Sequence, residues 1–236
     1  MKTQFKKHLL GALIGTAAAL TGVTALATGM QPETSVVILD EGQGEVSINV
    51  KNTDDTPSLL YTTIENIPED QETLVVLTPP VARVEAGETQ LVRFLRRGGE
   101  PSATQRLKRV IFEGIAQRPD ANGRARVGVT VRQNLPLLIH PKGLERHREP
   151  WTLLKWRMDG DKLVVVNDSP YVVRLAQELT LKPSGQQALL PRTYVLPGET
   201  LPVSAKDPIS ATSVTIAPAT VYGYAVEHYD AEVGAS

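Results

Sequence analysis

The sequence predicts an all-β chain folded as two successive β-sandwiches. Three observations carry that expectation. Short apolar runs with two-residue alternation recur along nearly the whole chain after the first thirty or so residues. Turn signals separate them, drawn from 18 glycines and 17 prolines. No segment of helical length carries a 3.6-residue apolar period.

Taken in order, Val36-Val37-Ile38-Leu39 is a short apolar strand closed by a turn at residues 40–44. Residues 45–50 alternate, with Val46, Ile48 and Val50 on one face, and a turn-forming stretch follows at 52–57. Residues 59–67, 74–78, 89–94, 107–115 and 127–139 complete the first sandwich. The last of these is the most informative. It follows a turn segment rich in Pro, Asn and Gly at 118–123, so it reads as the second arm of a hairpin with Val127, Val129 and Val131 on one face. Two roles fit that pattern. One is an ordinary half-buried core strand. The other is a strand at a sheet edge, whose open backbone can recruit a strand from another protein.

A charged stretch bracketed by Pro141 and Pro150 divides the chain. It gives a first domain over 28–141, a linker over 142–150 and a second, smaller domain over 151–236. Strands are expected in the second domain at 152–158, 162–166, 171–181, 189–196, 200–203, 213–216 and 222–229, with a frayed tail after about residue 230. No internal repeat stands out beyond the shared β character of the halves.

Residues 1–27 read as a secretory signal peptide. Lys2, Lys6 and Lys7 precede an uncharged run from Leu9 to Ala27, and Ala25-Leu26-Ala27 supplies small residues for cleavage. An uncleaved membrane anchor is the alternative, but Gly11, Gly15, Gly22 and three threonines make the run weakly apolar. Cleavage leaves 209 residues and, with three lysines lost, moves the formal charge from −1 to −4. A slightly acidic chain gives no electrostatic reason to expect nucleic acid or an anionic membrane as partner. With no cysteine, each domain rests on its own core.

Chemistry of catalysis is not legible. Beyond His8 in the signal, His140, His147 and His228 lie far apart, without the spacing of a metal site. There is no nucleophile elbow, phosphate loop or dinucleotide glycine cluster. His147 and the acidic pairs Asp54/Asp55 and Glu69/Asp70 read as solvated side chains in linker and turns. The expectation is a protein that is not an enzyme and uses no cofactor or metal.

Residues 77–87 (LTPPVARVEAG), followed by 90–94 (QLVRF), resemble the signature of PapD-like periplasmic chaperones of pilus assembly. Further matches are 107–115 (LKRVIFEGI), the apolar run ending at His140-Pro141, residues 166–173 (VNDSPYVV) and 195–198 (VLPG). The ordered set spans about residues 32–228. The resemblance implies two immunoglobulin-like β-sandwich domains in a boomerang arrangement, with the linker at the elbow. It implies a periplasmic chaperone that completes pilus or fimbrial subunits with its own strand and delivers them to an outer-membrane usher. It assigns the donated apolar row to Val127, Val129 and Val131.

Two departures stand out. Most members of that family hold the subunit's C-terminal carboxylate with an Arg on the first strand and a Lys on the donor strand. Those positions fall at Ser35 and Pro136, neither of them basic. Arg132, Arg109 and Lys108 are the substitute anchors nearest in sequence, because a guanidinium can clamp a carboxylate through two bonds. Pro136 cannot donate to a ladder, so pairing of the donor strand should end or kink there.

Two other readings remain open. An exported structural or adhesive protein such as a pilus subunit would carry an apolar N-terminal extension, whereas Thr28–Ser35 is polar. A carbohydrate-binding module would need exposed aromatics, for which Trp151, Trp156 and a few tyrosines are the only supply; the two tryptophans are expected to pack at the domain junction or in the core.

Overall fold

Alternation along the first strands dictates a two-layered structure in the N-terminal half. The computed structural model describes residues 29–116, 131–220, 223–224 and 226–234. Among the described residues, nine strands lie in the N-terminal half: β1 (Met30–Pro32), β2 (Val37–Asp40), β3 (Glu45–Asn52), β4 (Ser58–Asn66), β5 (Val75–Thr78), β6 (Val81–Val84), β7 (Thr89–Arg96), β8 (Arg106–Ala116) and β9 (Arg132–His140). One sheet has the order β1-β3-β7-β5 and the other β2-β9-β8-β4-β6. Ile48, Val50, Val92 and Phe94 face Leu60, Val110, Phe112, Leu137 and Ile139 across the sandwich. Phe94 and Phe112 meet edge to face, with centroids 6.3 Å apart. Each such side chain contributes about 1.5–3 kcal/mol by leaving water.

The C-terminal half opens with a 3₁₀ turn (Pro150–Leu153), whose last two residues the sequence predicted as the start of a strand. Pro150 stands in its first turn, where a missing N–H costs nothing. The strands that follow are β10 (Lys155–Asp159), β11 (Lys162–Asn167), β12 (Val173–Leu175), β13 (Glu178–Lys182), β14 (Gln186–Leu189), β15 (Tyr194–Val195), β16 (Glu199–Pro202), β17 (Ser204–Ala205), β18 (Ser213–Ile216), β19 (Pro218–Ala219) and β20 (Tyr229–Gly234). The single strands expected at 171–181 and 189–196 are each two, because β12 and β15 belong to a three-stranded sheet while β13 and β14 belong to an eight-stranded one. The expected frayed tail is instead β20, antiparallel to β18 and parallel to β10. Trp151 and Trp156 are both buried in the core of this half, which removes the aromatic platform a carbohydrate-binding reading required.

The two halves share a repeat that the sequence did not disclose. Asn52 is fully buried, and its Nδ2 donates to the carbonyls of Thr56 at 2.9 Å and Val84 at 3.0 Å. Asn167, equally buried, donates to Tyr171 at 2.8 Å and Val195 at 3.1 Å. The backbone carbonyl of each accepts a glycine N–H, Gly87 at 3.0 Å and Gly198 at 2.7 Å. Both glycines hold φ near +75°, a region costly for side chains with a Cβ. Each asparagine thus fastens a turn on its own strand to the loop of a later strand.

At the junction, Val36, Ile67, Leu107 and Leu138 of the first half close on Val172 of the second, with Tyr194 and Leu196 packed alongside. The Gln105 N–H donates to the Pro170 carbonyl at 2.9 Å. Tyr194 donates its hydroxyl hydrogen to Glu69, and Arg192 pairs with the same carboxylate at 2.8 Å. Glu69 is therefore a structural acid and not the solvated turn residue expected from composition. Burial, then the bond to Glu69, pushes the Tyr194 hydroxyl up to about 12.

Candidate functional site

The first strand of the chain changes sheets, and that change leaves a border open. β1 pairs with β3 in one layer, whereas β2 pairs with β9 in the other. The crossing at residues 33–36 is fastened by Glu33, whose carboxylate accepts from the backbone N–H and side-chain amide of Asn49 at 2.8 and 3.0 Å. β9 is paired with β8 from end to end, Arg132 opposite Glu113 through Ile139 opposite Arg106. Its other side meets β2 only from Leu137 to His140. Among the described residues, the stretch from Arg132 to Pro136 therefore has one paired border and one open one.

The alternation of an antiparallel ladder decides which groups face that opening. The Gly114 N–H points at the Val131 carbonyl, so Val131, Gln133 and Leu135 turn their backbone groups toward β8. The Glu41 N–H bonds the His140 carbonyl at 2.9 Å, which fixes the even-numbered residues as facing the β2 side. Arg132 thus offers N–H and C=O outward, Asn134 offers its N–H while its carbonyl accepts from Arg109 Nη2 at 2.7 Å, and Pro136 offers only its carbonyl. Beside this border lies a groove of about 580 Å³ lined by residues 29–35, Thr53, Val131, Gln133, Leu135 and Tyr224.

Val131 is half-buried in that groove, against Gly29. It shares its face with Leu135, Leu137 and Ile139, which pack in or against the sandwich core. Val127 and Val129, the other two members of the predicted row, lie outside the described residues.

The three basic candidates have three different fates. Arg132 is exposed and paired with Glu65 at 2.5 Å. Arg109 donates from Nε to the Asn134 side-chain oxygen at 2.6 Å and from Nη2 to the Asn134 backbone carbonyl at 2.7 Å. Lys108 is no surface cation at all. The pleat puts it on the same face as Val110 and Phe112, only 1% exposed, with Nζ 2.8 Å from Asp70 Oδ1 and 2.7 Å from the Asp70 carbonyl. Burial would raise the Asp70 carboxyl, but hydrogen bonds from Arg106 and Lys108 bring it down to about 2. Asp70, like Glu69, is committed to structure rather than to solvent.

The positions without basic residues are likewise resolved. Because Val37 stands opposite Leu137, the residue beside Pro136 is Val36, buried in the junction, with Ser35 one step further out. Sequence reasoning missed Arg174, on β12 opposite Tyr194. Its Nη1 is buried without a hydrogen-bond acceptor. Nothing in a run of strand residues distinguishes such an arginine from a solvated one.

Residues 29–145 match the family described as pili and flagellar-assembly chaperone, PapD N-terminal domain. Residues 149–229 match pili assembly chaperone PapD, C-terminal domain. The chain is 47% identical over 210 residues to the uncharacterized fimbrial chaperone YhcA of Escherichia coli K12, covering 89% of this chain and 92% of that protein. It is 33% identical over 184 residues to the chaperone protein HifB of Haemophilus influenzae, covering 72% of this chain and 75% of that one. In fold it is similar to a chain in the structure of the Salmonella enterica SafA pilin in complex with the SafB chaperone, with a TM-score of 0.72 at 19% identity over 88% of this chain and 97% of that one. With a two-domain β fold, both domain matches and these relatives, the chain belongs to the PapD-like family of pilus-assembly chaperones, whose members are binding proteins rather than enzymes.

Proposed function

We infer that this chaperone works in the periplasm, where it completes pilus or fimbrial subunits with the open border of β9 and passes them to an outer-membrane usher. The observation that carries this reading is the unpaired stretch from Arg132 to Pro136, flanked by its groove. An incoming strand gains ladder bonds from Arg132 and from the Asn134 N–H. The apolar row Val127, Val129 and Val131, in phase with the core-facing residues of β9, supplies side chains for the subunit's incomplete core. Burying three valines contributes about 1.5–3 kcal/mol each. An unfilled subunit would expose an apolar cleft and a raw strand edge, both of which favour aggregation. Export follows from the signal-like residues 1–27, and no helix among the described residues is long and apolar enough to cross a membrane.

Co-expression with a pilin subunit from the same gene cluster tests the reading. A soluble one-to-one complex is expected. Val129→Asp should abolish it while the free protein keeps its wild-type unfolding temperature. A variant that still co-purifies at wild-type yield would remove the valine row from the interface.

A further inference from the structure

A closed circuit of hydrogen bonds runs through the domain junction, and one histidine completes it. The Leu144 carbonyl can only accept, so His140 Nε2, 2.8 Å away, holds the ring hydrogen. In a neutral ring the other nitrogen is then an acceptor, and His140 Nδ1 takes an amide N–H from Gln105 at 2.9 Å. That leaves the Gln105 side-chain carbonyl for the N–H of Val172, also 2.9 Å away. Tyr171, next to Val172, closes the loop by donating its hydroxyl hydrogen at 2.7 Å to the carbonyl of Glu145, next to Leu144. Gln105 and His140 are only 5% and 4% exposed, so solvent does not replace a lost partner.

These roles hold for the neutral ring alone. An imidazolium carries a hydrogen on both nitrogens. Its Nδ1–H faces the amide hydrogens of Gln105. Turning that amide over offers Nδ1–H the carbonyl oxygen but sets the NH2 group against the Val172 N–H. Two buried donors oppose each other in either arrangement, and no rotation of Gln105 relieves both ends.

The charged groups around His140 are committed elsewhere or solvated. On β2, Asp40 stands opposite His140, but its carboxylate accepts from the Gly42 N–H at 2.8 Å and lies 3.6 Å from Arg146. The Glu41 carboxylate holds Arg96 and Ser102. On β8, Arg106 is held by Asp70 and Glu72. Lys142, Glu145, Arg148 and Glu149 of the linker are exposed. In the second domain, Asp168 pairs with Lys155 at 2.9 Å, and His147 of the linker lies against the Tyr171 ring, with centroids 5.6 Å apart.

We propose that His140 is the trigger of an acid-released latch, in which proton uptake at Nδ1 breaks the Gln105 bridge and loosens the second domain from the end of β9. The proton comes from solvent and forms one N–H bond; Gln105 keeps its backbone bond to the Pro170 carbonyl, so the junction slackens at Val172 while that bond holds. The latch sits at the end of the strand that carries the open border, so the same proton sets how firmly the second domain is held beside it.

Amide hydrogen exchange of the free protein, corrected for the intrinsic rate, tests this between about pH 7.5 and pH 5, where histidine is the side chain that changes charge. The protection of Val172 is expected to fall at least tenfold on acidification, while Val165, on β11 between β10 and β16, keeps its protection. Equal protection of Val172 at the two pH values would overturn the latch. In Gln105→Glu the carboxylate accepts from both the Val172 N–H and a charged Nδ1–H, so Val172 should stay protected at pH 5 and the variant should gain stability relative to wild type on acidification. His147→Gln should keep the wild-type response; a response lost there and kept in Gln105→Glu would take the trigger away from His140. Nitrogen-15 NMR of the ring at pH 7.5 supplies a check without substitution: the hydrogen is expected on Nε2, and a hydrogen on Nδ1 would contradict the circuit.

Discussion

The side-chain carbonyl of Gln105 accepts the backbone N–H of Val172 at 2.9 Å, inside the junction between the two sandwiches. The amide nitrogen of the same side chain meets His140 Nδ1 at 2.9 Å, and the other ring nitrogen of His140 meets the Leu144 carbonyl at 2.8 Å. One buried glutamine therefore ties the end of β9 to the segment between β11 and β12 in the second domain. Gln105→Ala leaves the Val172 N–H and His140 Nδ1 unsatisfied, which costs about 1–3 kcal/mol for each buried group. The expected result is a denaturant midpoint clearly below wild type, with Gln105→Glu also destabilising because it replaces the donating amide with an anion.

Asp70 and Lys108 form a pair that breaks badly. Asp70→Asn strands a buried ammonium and should cost about 3–5 kcal/mol at pH 7. Lys108→Met, which leaves Asp70 with Arg106, should cost much less. Urea denaturation of the two variants decides this ranking.

The same pair sets an acid dependence. The Asp70 carboxyl is held at about 2, below its ordinary 3.8, so its contribution of about 2 kcal/mol is fully present above about pH 5 and is lost as pH falls from about 4 towards 2. The stability gap between wild type and Asp70→Asn should therefore be widest at neutral pH and shrink below pH 4. A gap that widened on acidification would contradict the pairing.

Asn52 and Asn167 are predicted to be equivalent. Alanine at either position orphans buried carbonyls and frees a turn, at an expected cost of about 2–4 kcal/mol. Because the two lie in separate sandwiches without shared partners, the double variant should show the sum of the single effects. Calorimetry of the three variants checks both statements.

Fold class was legible because alternation is a local property. Residues 45–50 show their buried face letter by letter, and β3 buries Ile48 and Val50 accordingly. Strands that depend on tertiary context were not legible. β1 has three residues, and β6 lies within the Pro-rich signature stretch, so neither carries a pattern of its own. The joined strands at 171–181 split because consecutive residues serve different sheets. In the site, periodicity suggested a valine row of which Val131 alone lies among the described residues, and it could not sort Lys108 from Arg109, adjacent in sequence and on opposite faces of β8. Nor could it find Arg174, whose significance is an unfilled bond visible only in three dimensions. Asn52 and Asn167 escaped for the same reason: asparagine in a turn-rich chain is unremarkable until its carbonyl partners are known.

Amide hydrogen exchange along β9, free and in complex with a pilin subunit, bears most directly on the open border. Gln133 and Leu135, bonded to β8, should be protected in both states. Arg132 and Asn134 should exchange rapidly in the free chaperone and become protected by at least a hundredfold in the complex. Equal exchange of Arg132 and Asn134 in the two states would mean that no strand from the subunit pairs there.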